Sequence, residues 1–178
     1  MRTKNTGRLA LAGVLSALAL VLLLFTHIPT ATVALAALAG VCGIPVVVEL
    51  GYRAGLLHFA AVALLGVLLA LTAEGTGMYL AFFGWYTVFK AYLESQNLPR
   101  VIEWAVKLTA FTAAVAAYGA VWLFILDMAL PAGFRWWMIA PAAVLLWVVF
   151  VVYDIALNGV VATYHSRIRP KIKGIFHF

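Results

Sequence analysis

Several stretches of this sequence run for about 18 residues or more with no charged side chain, and that property excludes most folds. Leu9 to Phe25 is the first such run, and others follow along the chain. A helix needs roughly 20 apolar residues to cross the hydrocarbon core of a bilayer. The mean hydropathy is +1.09, and only 10% of the 178 residues are charged, which is too few to solvate a soluble domain. The runs do not alternate apolar with polar residues, as the strands of a membrane barrel would. The expectation is an all-α polytopic membrane protein forming a single membrane domain over 1–178.

Breaks in the pattern divide the chain into six transmembrane helices, over about 9–26, 31–50, 54–72, 78–95, 100–126 and 136–164. The polar start carries Arg2, Lys4 and Arg8. No small-residue cleavage site follows the first run, so it reads as a retained helix rather than a signal peptide. His27-Ile28-Pro29-Thr30 ends it, and Gly43 and Pro45 interrupt the second. Glu49 and Arg53 flank the tight return at Gly51 with the four-residue spacing of a local ion pair. Glu74 to Gly77 and Asp127 to Arg135 read as loops, and a basic tail runs from His165 to Lys173.

Six crossings put the amino end, the segments around Arg53 and Arg100, and the tail on one side. Every Lys and Arg except Arg135 then lies on that side, eleven of the twelve. Basic residues are retained in the cytoplasm, so both termini are expected to be cytoplasmic, in a multi-pass protein of a bacterial inner (plasma) membrane. This placement accounts for the net charge of +6 without nucleic acid. The tail serves as an orientation signal or also meets anionic headgroups of the lipid bilayer.

The most specific pattern lies between Gly84 and Leu108. Ser95-Gln96-Asn97-Leu98-Pro99 is turn chemistry between two helical runs. Lys90 and Glu94 lie four apart before it, and Glu103 and Lys107 four apart after it. Folded on each other, they predict a diagonal square, Lys90 with Glu103 and Glu94 with Lys107. Such a hairpin is a structural lock, a cytoplasmic docking surface or part of a proton path. Asp154, one turn before Asn158, is a further ionisable group at membrane depth, where charge is costly and needs a reason. A partner such as Lys90 or Lys107 would neutralise it. Glu49, Arg53, Asp154 and Asn158 are together expected to be buried polar groups.

Only twelve residues separate Gly77 from Lys90, short for a full crossing. Either Lys90 lies within the bilayer or the helix begins below the outer surface. The second case would open a recess beside the loop of Asp127, with Tyr79, Trp85, Trp122, Trp136 and Trp137 available as walls. Trp136 and Trp137 also suit an interfacial belt. Cys42 is the single cysteine, which excludes a disulfide within the chain, and the four histidines are too scattered for a metal site. No nucleophile–base set, zinc motif or phosphate loop occurs, so neither an enzyme nor a cofactor is expected.

In the first helix, Ala10, Gly13 and Ala17 form a line of small residues, suited to close packing inside the protein or against a partner helix. With this line, the Ile28-Pro29 break, the size and the topology, the chain resembles the substrate-binding (S) components of energy-coupling factor (ECF) transporters, over roughly Leu9 to Tyr164. The resemblance implies docking through Ala10, Gly13 and Ala17 onto a transmembrane coupling subunit driven by cytoplasmic ATPases. It also implies a small-molecule ligand, usually a vitamin or metal ion, near the outer face by Trp85, Trp122, Asp127 and Trp136. No vitamin-specific signature is present, and the charged hairpin is not part of the family pattern. The expected function is capture of a small solute for energy-coupled transport. The alternative is a non-enzymatic envelope scaffold, similar in layout to rod-shape-determining membrane proteins, whose charged hairpin recruits a partner.

Overall fold

The computed structural model describes residues 2–28, 30–70, 74–125 and 135–170, and these are helical apart from short turns, with no strand among them. Helix α1 (Arg2–Leu24) runs into a short 3-10 turn, Phe25–His27. Helices α2 (Thr32–Val41) and α3 (Gly43–Leu50) together make one crossing, interrupted at Cys42 three residues before Pro45. A proline cannot donate to the preceding turn, so the interruption expected at Gly43 and Pro45 is present. Gly51 then adopts φ +88, a left-handed geometry that glycine enters without a side-chain clash, and the chain returns as α4 (Tyr52–Ala70).

The fourth crossing differs from expectation. Glu74 to Gly77 is not a loop: α5 (Glu74–Met78) continues through a π-helical turn, Tyr79–Phe83, into α6 (Gly84–Ser95). This unbroken unit is about 33 Å long, enough to cross a bilayer core. Lys90 therefore lies near its far end, inside the protein, and among the described residues no shortened helix opens a recess. Gly75 and Gly77 are packing residues, because any larger side chain there would overlap the side chains of Thr26 and Tyr118. Next come α7 (Arg100–Ala120), with its π-helical extension Val121–Ile125, and α8 (Ile139–Thr163). The helix of α8 begins with the turn Trp136–Met138 and runs on through Ile168, past the expected end at Tyr164.

Five of these helices are long and apolar enough to span a membrane, and the unit from Glu74 to Ser95 is a more polar sixth. The side chains follow the inverted pattern of such proteins. Leu57, Leu68, Val101 and Leu145 all point outward, while Lys90, Lys107 and Asp154 are buried. In water, so large an apolar exterior would drive association; in lipid it is the solvated surface.

Two cores hold the bundle. One joins α1, α2, α4 and the π-helical turn through Ala19, Leu23, Ala39, Val62 and Tyr79. The other gathers aromatic rings of α6, α7 and α8 around Phe82, Tyr86, Phe111 and Phe150. The rings of Phe111 and Phe150 stack with centroids 4.6 Å apart. From α8 only Phe150, Asp154 and Leu157 are buried, one narrow stripe of a long helix.

Candidate functional site

The charged groups meet where α6, α7 and the middle of α8 converge. Asn97 makes the hairpin possible by adopting φ +50, which a short polar side chain tolerates. Pro99 precedes the first turn of α7, and its carbonyl accepts from the Glu103 amide at 3.0 Å. The two helices then run back along each other, with Lys90 and Glu94 on one and Glu103 and Lys107 on the other.

Lys107 Nζ lies 2.6 Å from Glu103 Oε1, 2.8 Å from Glu94 Oε1 and 3.4 Å from Asp154 Oδ2. Lys90 Nζ lies 2.7 Å from Glu94 Oε1 and 2.6 Å from Asp154 Oδ1. The Tyr86 hydroxyl donates to the same Asp154 Oδ1 at 2.6 Å. Asp154 is 1% exposed and thus accepts from a hydroxyl and two ammonium groups at once. The Trp104 ring, 5.5 Å from Lys107 Nζ, adds a cation–π contact.

Half of the expected square is present. Lys107 pairs with Glu94, but Lys90 pairs with Glu94 and Asp154 rather than with Glu103. The reason is depth. Asp154 enters from α8 between the two lysines, and a buried carboxylate needs both charges more than the partly exposed Glu103 does. Asp154 finds both partners that the sequence suggested for it. Two cations face three anions, a formal balance of −1, with the carboxylates of Glu94 (38% exposed) and Glu103 (21%) forming the accessible edge. The ammonium groups occupy the space among the carboxylates that a bound cation would take.

A second polar contact corrects another expectation. Glu49 does not pair with Arg53, whose side chain is exposed; it binds Arg169 Nε at 2.8 Å and accepts from the Tyr164 hydroxyl at 3.4 Å. The end of α8 is thereby tied to the end of α3. Asn158, expected to be buried, is exposed on α8: the buried stripe of Phe150, Asp154 and Leu157 is narrow, and position 158, one turn after Asp154, falls just outside its edge.

The expected outer pocket is not assembled from the residues proposed for it. Tyr79 is fully buried, its ring against Phe59, and Trp85 packs on Phe82 and Phe89 while donating to the Ala81 carbonyl. Trp122 lies beside Tyr118, and Trp136 is exposed. Asp127 lies outside the described residues. An open groove of about 480 Å³ lies instead along the outward face of α7, from Val101 to Ala113.

On α1, Ala10, Gly13 and Ala17 all face outward, and a Cβ added at Gly13 would meet nothing within 4 Å. Internal packing is therefore not what this line does. No protein family, curated protein or solved structure matches this chain. The reading of the site rests on its own geometry.

Tyr86 is the member of the cluster that sequence reading missed. It lies one turn before Lys90 and two before Glu94, on the same face of α6, and that spacing was the available signal. Arg169 had no such signal, since its partner lies 120 residues away.

Proposed function

We propose that this chain is the membrane-embedded solute-binding component of an energy-coupled uptake transporter, of the kind it resembles, and that α1 is its docking face. One observation carries the reading: Ala10, Gly13 and Ala17 lie in a line on the outside of the bundle, where a partner helix can approach the α1 backbone closely. On this reading both termini are cytoplasmic, the membrane is the bacterial inner membrane, and a separate coupling subunit with ATPases supplies the energy. The chain itself hydrolyses nothing.

The scaffold alternative draws less support. A docking hairpin offers its charges to a partner, whereas Lys90 and Lys107 spend theirs on Asp154, Glu94 and Glu103 within the chain. The hairpin then acts as a clamp that holds α8 against α6 and α7.

The test is affinity purification from the native membrane. Wild-type protein should bring down a polytopic partner together with an ATPase, and Gly13→Leu should lose both while keeping its own melting temperature. Retention of every partner by Gly13→Leu would refute docking through α1. A vitamin panel, read by shifts in melting temperature, would then define the solute.

A further inference from the structure

We propose that Ser16, Gly43, His58 and Thr87 form a second, separate polar site inside the bundle, built to hold an ordered water molecule. The four residues come from α1, α3, α4 and α6, so the site joins four helices. His58 and Thr87 are each only 5% exposed. Ser16 Oγ and His58 Nδ1 are 2.7 Å apart, which satisfies one ring nitrogen. His58 Nε2 and Thr87 Oγ1, both buried, have no protein partner.

These two orphaned atoms face the same small space. A Cβ added at Gly43 would lie 3.0 Å from Thr87 Oγ1 and 3.9 Å from His58 Nε2. The atoms are thus no more than about 7 Å apart; one bridging water covers up to about 6 Å of that range, and a second water covers the remainder. Glycine at 43 lets the Thr87 hydroxyl lie close to the backbone; any other residue would crowd it with a Cβ.

The orientation of Thr87 is informative. Other hydroxyls in this chain turn back onto the carbonyl four residues earlier: Thr109 donates to Ala105, Thr112 to Leu108 and Ser166 to Ala162. Thr87 makes no such bond to Phe83 and aims its oxygen at the Gly43 side instead. A buried polar atom without a partner is costly, most of all in a membrane protein, and two that converge on one gap share a ligand. Water fits the chemistry. It accepts from a ring N–H or donates to a bare ring nitrogen, whichever tautomer the Ser16 bond selects, and it pairs with a hydroxyl in either sense. His58 then links Ser16 to the water, and the water links His58 to Thr87.

The test uses full-length protein in lipid nanodiscs. With ¹⁵N-labelled histidine, the His58 ring should show magnetisation exchange with a long-lived water, and Thr87→Val should abolish it. Thr87→Val should also lower the melting temperature by roughly 3–6 °C, while Thr87→Ser, which keeps the hydroxyl, should lose less and retain the water signal. No water contact at His58 in the wild type would overturn the proposal. So would a Thr87→Val protein as stable as wild type, since a dry site gains by losing an orphaned hydroxyl. Equal losses in Thr87→Val and Thr87→Ser would assign the effect to shape and would also overturn it.

Discussion

Asp154 of α8 accepts a 2.6 Å charge-assisted hydrogen bond from Lys90 of α6, across 64 residues of sequence, and both side chains are almost fully buried. Burying either charge alone at membrane depth would be strongly unfavourable. Together, and with Tyr86 and Lys107 completing the carboxylate's hydrogen bonds, they fasten a helix that otherwise buries only a narrow apolar stripe.

Asp154→Asn is therefore expected to destabilise the protein by about 3–5 kcal/mol, because it leaves Lys90 and Lys107 buried with reduced compensation. Thermal unfolding in detergent, followed by loss of near-ultraviolet circular dichroism, measures this. A change below about 1 kcal/mol would mean that the cluster does not hold α8.

Double-mutant cycles separate the pairs that touch from those that do not. Lys90 and Asp154 should couple by about 1–3 kcal/mol. Lys90 and Glu103 make no direct contact, so their coupling should be smaller than that of Lys107 with Glu103, which lie 2.6 Å apart. Equal coupling of Glu103 to both lysines would restore the diagonal square.

The part of this cluster that follows from helical periodicity was legible in the sequence. Lys90, Glu94, Glu103 and Lys107 announced themselves by four-residue spacing around a turn, and the Lys107–Glu94 contact is the consequence. The Lys90 partner was harder to choose, since which of two acids wins depends on how deeply α8 inserts, a packing outcome no local spacing encodes. Glu49 shows the same limit: Arg53 was near in sequence, but Arg169 reaches it through the tertiary fold. The fourth crossing is longer than its sequence suggests for a different reason. Gly75 and Gly77 read as loop residues, yet in membrane helices small residues permit close approach, and here they pack against Thr26 and Tyr118. The outward direction of the Ala10, Gly13 and Ala17 line was likewise undecidable, because an Ala-rich helix offers small residues on more than one side.

The hairpin turn makes its own prediction. Asn97 holds φ +50, where a β-branched side chain is strained. Asn97→Val should cost about 1–2 kcal/mol, and Asn97→Gly should be close to neutral. Chemical denaturation of both variants checks this, and equal loss in the two would show that the side chain rather than the backbone geometry matters.

The end of α8 depends on Glu49. Glu49→Gln weakens the bond to Arg169 and the contact with Tyr164, so this last stretch of helix should open more often. Limited tryptic cleavage after Arg167 should accelerate several-fold. Unchanged cleavage would mean that the contact contributes nothing to holding the end of the helix.

The central claim is that the face offered to partners lies on α1, while the charged hairpin is occupied within the chain. It is tested most directly by placing a photo-crosslinking residue at position 13 or at position 94 and irradiating the native membrane. The account predicts a discrete adduct with another membrane protein from position 13 and none from position 94. An adduct from position 94 with none from position 13 would contradict it.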